Sequence, residues 1–381
     1  MKIAFIGIKS YPPAHGGMET MTQSIVNSLL KMDIQKYVIF IYPLFSSIAP
    51  HSNQKNLYIH KIKTSNILYI RSILGILASI PKLFKDKPDV VHINGIENSY
   101  IIPLLRIMGY NVVLNIRGIR WTLSKWSDTY FHVSNIPIVI TQIFFKINIV
   151  LFSWCANKIV TVNEYSIQSL PILVQKKTDV IYNSLEVNYL NAPEILEKLE
   201  VNKNEYILFI GRIVPLKGLH YLLNAYICGD KINEPLIVAG NFFPDRNKYH
   251  KYLNDFTVNN HNIKFCGSLY ENDKFTIMSN AKLIVLPSET EGMAVTILEA
   301  AILKVPILVS NIPENEVLWK DAIHYFQNRN QIDLGLQLEI LMRDDEKREN
   351  KLEEAYKKSM TKFNHNKQID LYDKLYQSFK I

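Results

Sequence analysis

The residue types that could do chemistry cluster in three short stretches. In the first, Pro287-Ser-Glu-Thr-Glu291-Gly-Met-Ala-Val-Thr-Ile-Leu-Glu299, two glutamates stand eight positions apart. Glu291 falls in a loop after an apolar run and Glu299 in a helical pattern, and eight helical steps at about 1.5 Å each span about 12 Å. That separation is too long for a shared proton or metal and suits two ends of one elongated ligand. Between them, the N–H groups near Met293 to Thr296, Val295 among them, would crown a helix N-terminus, a site for phosphate. The same residues also fit an acid complementing a helix dipole plus one surface glutamate.

The second stretch is Gly211-Arg212-Ile-Val-Pro-Leu-Lys217-Gly218. Arg212 offers a planar fork and Lys217 a point charge, on either side of a proline-stiffened turn, a natural clamp for a diphosphate. A pair of solvated surface cations is the other reading. The third is Ser10-Tyr-Pro-Pro-Ala-His-Gly16-Gly17-Met-Glu19, where two glycines open a helix directly after a buried strand. Gly16 and Gly17 would let backbone N–H groups approach an anion, or simply make a tight turn. The stretch is not GxGxxG, so a dinucleotide fingerprint is missing. His92 ends a strand pattern, where it could touch a sugar or pack as a core histidine. Trp121 and Trp126 could stack on a sugar face or pack under a loop. His250 and His261 show no ligand spacing, and no metal or other cofactor is expected.

These stretches need elements to hold them. Apolar, β-branched runs recur at Ile3–Ile8, Tyr37–Tyr42, Leu57–Ile62, Val90–Asn94, Val112–Ile116, Lys158–Val162 and Asp179–Tyr182. They read as strands of a parallel sheet buried on both faces, alternating with helical patterns such as Gly17–Lys31 and Ile67–Phe84. Residues 190–204 are polar and read as a linker. The pattern then restarts at Tyr206–Ile210, Leu236–Ala239, Ile263–Phe265, Leu283–Leu286 and Ile307–Val309. Domains of 1–189 and 205–365 follow, with a last helix, 366–381, that could cross back to the first. The two charged stretches lie at the carboxyl ends of strands, where open α/β sheets bind ligands.

The 381 residues suit two domains, and 48% hydrophobic with 20% charged residues argues against disorder. Three scattered cysteines fit a reducing compartment. The net charge is +8, without the runs or motifs of a nucleic-acid binder. The start of the chain reads as a strand and not as a leader. Ile136–Ala156 is apolar but interrupted, and reads as a long core helix; a helix with one face on a bilayer is the alternative.

Taken together, the second half resembles the large retaining glycosyltransferase family of the GT-B fold, the family four type. The resemblance rests on Gly211–Gly218, Gly240, the Gly267-Ser268 turn and Glu291 through Ala300. The first half is similar to bacterial rhamnosyltransferases of capsule and O-antigen assembly, through Gly16-Gly-Met-Glu19-Thr and Asn115-Ile-Arg117-Gly-Ile-Arg120-Trp121 with Lys125-Trp126. Arg117 and Arg120 stand where that branch shows acids. The resemblance implies two Rossmann-like parallel-sheet domains facing across a cleft. It implies that Arg212 and Lys217 bind the donor diphosphate, that Glu291 faces the donor sugar, that Glu299 takes the ribose hydroxyls, and that Gly16 and Gly17 approach the phosphates. Arg117, Trp121 and His92 would then lie on the acceptor side. The implied partners are a nucleotide sugar and a glycan or lipid-linked acceptor. The implied location is the cytoplasm, with peripheral contact to an anionic membrane through cations such as Lys61, Lys63, Arg71, Lys82, Lys85 and Lys87. A nucleotide-sugar epimerase and a non-catalytic nucleotide-sugar-binding protein are the competing readings.

Overall fold

Runs of Ile, Val and Leu with no polar alternation can only be satisfied between two helical layers, and the chain builds this arrangement twice. The computed structural model describes residues 1–13, 16–33, 35–44, 54–62, 68–118, 147–229, 232–241, 247–257 and 260–380. They fall into two compact units. One comprises residues 1–118, 147–184 and 365–380, the other the described part of 185–364. Trp121, Arg120, Lys125, Trp126, Lys63 and most of Ile136–Ala156 lie outside the described residues, as does the Arg71 side chain.

The first unit runs β1 (Lys2–Ile6), α1 (Gly17–Met32), β2 (Val38–Tyr42), β3 (Leu57–Ile59), α2 (Leu68–Asp86), β4 (Val90–Asn94), α3 (Ile102–Ile107), β5 (Asn111–Ile116), β6 (Lys158–Thr161), α4 (Glu164–Gln168), α5 (Ile172–Gln175) and β7 (Thr178–Val180). Its strands are parallel, in the order β3-β2-β1-β4-β5-β6-β7. Ile3 sits between Ile39 of β2 and Val90 of β4, which places the reversal of strand order between β1 and β4.

The second unit holds α6 (Glu194–Lys198), β8 (Ile207–Ile210), α7 (Leu219–Cys228), β9 (Leu236–Ala239), α8 (Asn247–Thr257), β10 (Ile263–Gly267), α9 (Glu271–Ser279), β11 (Leu283–Leu286), α10 (Val295–Ile302), β12 (Ile307–Ser310), α11 (Pro313–Trp319), β13 (His324–Phe326), α12 (Gln331–Arg343), α13 (Asp345–Glu349) and α14 (Leu352–Thr361). The order β10-β9-β8-β11-β12-β13 puts its reversal between β8 and β11. Phe209, Val238, Val285 and Leu308 of the sheet are buried with Leu222 and Leu223 of α7 and Leu334 and Leu338 of α12. Each such side chain contributes about 1.5–3 kcal/mol on burial.

Three features depart from the sequence reading. The stretch 190–204 is not a free linker. It forms α6 and is bonded into the second unit, Leu190 N donating to Asn272 Oδ1 (3.0 Å) and Ala192 N to Thr276 Oγ1 (2.9 Å). The described end of Ile136–Ala156 is not a regular α-helix but a π turn, Asn148–Phe152, followed by a 3-10 turn, Ser153–Cys155. Strand β13 was not foreseen, because His-Tyr-Phe is too short to show a period. The terminal helix α15 (His365–Gln377), which the sequence reading allowed to cross back, packs in the first unit: Ile369, Tyr372 and Tyr376 join Ile3, Phe5 and Val90 in its core. Asp373 accepts from Lys36 Nζ (2.8 Å) and from the Tyr37 hydroxyl.

Candidate functional site

In the second unit both charged stretches leave the sheet at the strand reversal. The loop after β8 carries Arg212 and Lys217, and the loop after β11 carries Glu291. Tight packing holds the loops together. Gly218 has φ 68° and an added Cβ would sit 1.8 Å from the Pro287 carbonyl oxygen, so only glycine fits. Glu289 N donates to Leu216 O at 2.9 Å, a second tie between the same loops.

Lys217 Nζ is hydrogen-bonded and ion-paired to Glu291 Oε1, with both side chains largely buried. Burial alone would raise the Glu291 carboxyl. The bonded Lys217 ammonium and the nearby Arg212 charge more than offset it and hold Glu291 below the usual carboxylate range. The arrangement is therefore a cation–carboxylate–cation cluster with Glu291 ionised. Beside it, α10 begins at Val295 and Thr296, and Ala294 at its N-cap has no side-chain acceptor to give their N–H groups. Glu299 lies one turn further along α10. It is buried, Lys274 of α9 holds its Oε1, and its Oε2 has no partner among the described residues.

Three supporting residues were not read from the sequence. Glu289 is buried and accepts from Tyr221 Oη (3.1 Å) and Arg329 Nε (3.1 Å), so it moors the Glu291 loop to α7 and to the segment after β13. Burial, together with the neighbouring Glu291 charge, pushes the Glu314 carboxyl up. Lys274 is the third. The acid-rich run Ser-Glu-Thr-Glu was the available signal for Glu289, but its partners are distant in sequence.

The first unit places its candidates differently. Gly16 (φ 99°) precedes α1, Gly17 is the first residue of that helix, and buried Glu19 accepts from Lys9 N at 3.3 Å. His92 does not face solvent. It is fully buried, stacked on Phe5, with Nδ1 2.8 Å from Tyr376 Oη. Burial, and then the Arg117 charge, push its pKa down to about 3, so it is a neutral core histidine, and the acceptor-side reading of it is corrected. Arg117 donates from Nη1 to Asn183 Oδ1 at 3.2 Å just past β5, at the carboxyl end of the sheet.

Two doubly wound parallel sheets, the second with a charged cluster at its switch point, define the GT-B architecture. Residues 191–358 match the model of the family described as glycosyl transferases group 1. The O-antigen chain mannosyltransferase RfbU of Salmonella typhimurium (strain LT2) is 30% identical over 154 residues, which cover 39% of this chain and 40% of that protein. The UDP-Gal:alpha-D-GlcNAc-diphosphoundecaprenol alpha-1,3-galactosyltransferase of Escherichia coli is 23% identical over 82% of this chain and 81% of its own. Among solved structures, sucrose-phosphate synthase from Thermosynechococcus elongatus aligns with a TM-score of 0.80 at 14% identity, covering 99% of this chain and 98% of that one.

Proposed function

We propose that the protein transfers a sugar from a nucleotide diphosphate to a glycan or lipid-linked acceptor in the assembly of a surface polysaccharide. The observation that carries this reading is the cluster of Arg212, Lys217 and ionised Glu291 beside the uncapped start of α10. Sugar transfer is uphill where the nucleotide diphosphate departs and positive charge grows on the anomeric carbon. Cations and helix N–H groups stabilise the departing oxygens. An ionised carboxylate orients the sugar and supports its developing charge. The unpartnered Glu299 Oε2 has the chemistry to accept from ribose hydroxyls. Donor binding therefore runs along α10, diphosphate and sugar at its start and ribose one turn on.

Retention of anomeric configuration is part of the proposal, taken from the family resemblance. So is the independence from any metal or other cofactor: Arg212 and Lys217 take the leaving-group charge, and chelators are expected to leave turnover unchanged. The named relatives are a mannosyl- and a galactosyltransferase, so rhamnose rests on the sequence resemblance of the first unit alone. A lipid-linked acceptor is supported by the diphosphoundecaprenol substrate in the galactosyltransferase's name. It would place the protein peripherally at the inner face of a membrane, and among the described residues no helix is long and apolar enough to cross one. Transfer and hydrolysis assays with a panel of UDP-, GDP- and dTDP-sugars test the reading. Consumption of one donor with a lipid-diphosphate sugar acceptor supports it. Tight donor binding without turnover would indicate a non-catalytic binder, and epimerised free donor would indicate an epimerase.

A further inference from the structure

A charge taken out of water costs free energy unless an opposite charge and hydrogen bonds replace the water. Arg117 is where the first unit leaves that replacement incomplete. It is the first residue after β5, at the carboxyl end of the parallel sheet, the side on which open α/β sheets take ligands. Its side chain is partly buried and ends in a planar fork of N–H donors. Among the described residues that fork makes one bond, from Nη1 to Asn183 Oδ1 at 3.2 Å. Nε is buried with no partner, while Nη2, also without one, is not buried. Burial pushes the Arg117 pKa below its ordinary value, yet a guanidinium keeps its proton inside a protein, so the cation persists.

The surroundings do not supply the missing anion. Arg117 forms no ion pair among the described residues, and Glu19 is the acid whose charge acts on it. That carboxylate sits under the glycine turn, accepting from Lys9 N at 3.3 Å, with Oε2 2.9 Å from where a Cβ on Gly16 would stand. The other groups around Arg117 are neutral. Tyr372 and Tyr376 are buried phenols whose pKa values are pushed up, and His92 is uncharged. A hydroxyl that accepted from the open end of the fork would leave the charge unbalanced. The oxygens of a carboxylate or phosphate match both the charge and the planar donors.

We propose that Arg117 is the specificity-determining residue of the first unit, taking an oxyanion of the acceptor, either the carboxylate of an acidic sugar or a phosphate. The inference rests on the transferase reading and narrows its acceptor to an anionic one. It also keeps two anion sites apart in role: Arg212 and Lys217 take the departing diphosphate, and Arg117 takes the acceptor.

Calorimetric titration of the full chain tests it, with the preferred nucleoside diphosphate kept at saturation so that the second unit does not take the probe. The probes are methyl β-glucuronide, β-glucosyl phosphate and the neutral methyl β-glucoside. Wild type is expected to bind at least one anionic probe about tenfold or more tighter than the glucoside. Preference for the glucuronide assigns an acidic sugar, and preference for the phosphate assigns a phosphorylated acceptor. Arg117→Met should bring the anionic probes to the level of the glucoside. Arg117→Lys should recover part of the difference, because the charge returns without the fork. The Tm of unliganded Arg117→Met should hold or rise, since the variant removes a charge that the fold leaves unbalanced. Nucleoside diphosphate affinity, unchanged in both variants, is the control for folding. Anionic and neutral probes that bind alike, or no binding of any, overturn the proposal. So does an Arg117→Met protein that binds the anionic probes as wild type does; a lowered Tm in that protein would make Arg117 a structural tie to Asn183. Anionic probe binding in a protein that turns over no donor leaves this site standing and defeats the transferase reading. Transfer to a neutral acceptor, undiminished in Arg117→Met, does the converse.

Discussion

The two units share one plan, a parallel sheet whose strand order reverses beside its first strand, yet they use the carboxyl side of that plan differently. In the second unit the reversal between β8 and β11 opens two loops whose charged side chains meet, Lys217 on Glu291 with Arg212 nearby. In the first, the polar side chains of the central strands are turned into the core, where two of them bond to tyrosines. His92 bonds to Tyr376, and Asn115 Nδ2 donates to Tyr372 Oη at 3.3 Å, both tyrosines supplied by the returning helix α15. A histidine in a central strand is therefore no guide to chemistry by itself. What distinguishes the second unit is an ionised carboxylate bonded to Lys217, with the Arg212 charge nearby, in the loop that leads into α10.

Breaking the charged cluster should give the largest effect. Glu291→Gln is expected to cut turnover by about 10²–10³-fold with little change in donor binding, on the scale of losing one charge-stabilising group. Glu299→Gln should instead raise the donor KM. Steady-state kinetics check both, and the same kinetic defect in the two variants would contradict the division of roles. A smaller effect should follow from unmooring the loop. Glu289→Gln weakens the hold of Arg329 and Tyr221 without touching the ligand, and is expected to lower kcat by about tenfold. Glu289→Asp should recover part of that loss. A Glu289→Gln protein with lowered Tm but unchanged kcat would make Glu289 merely structural.

The first unit should answer to pH and not to donor. His92 is held neutral, its folded pKa of about 3 lying below the ordinary value of 6.5. Below about 6.5 the unfolded chain takes up a proton that the folded chain refuses, so stability falls as pH drops from there toward 3. This is the reverse of a histidine that gains a partner for its charged form. His92→Phe, followed by denaturant unfolding across that range, should lessen the slope by up to about one proton. An unchanged slope would mean His92 titrates normally.

Much of the scaffold was legible, because strands buried on both faces leave uninterrupted apolar runs. Twelve of the thirteen strands among the described residues were read from such runs. The thirteenth, His-Tyr-Phe, offers no such run. Arg212, Lys217 and Glu291 were legible as a set because each lies in a loop that follows a strand, and the structure brings them together. Its supports were not, since the Glu289–Arg329 pair joins residues 40 positions apart. The helical spacing of Ile369, Tyr372 and Tyr376 announced an amphipathic helix, but spacing does not say which sheet receives it.

The difference between the units can be measured directly by calorimetric titration of the preferred nucleoside diphosphate into wild type, Lys217→Ala and Arg117→Ala. The account predicts that Lys217→Ala weakens binding by roughly 10- to 150-fold, the worth of a charge-assisted contact of about 1.5–3 kcal/mol, while Arg117→Ala leaves it within about twofold of wild type. Unchanged affinity in a folded Lys217→Ala protein, or the larger loss in Arg117→Ala, would contradict a donor site built at the β8–β11 reversal.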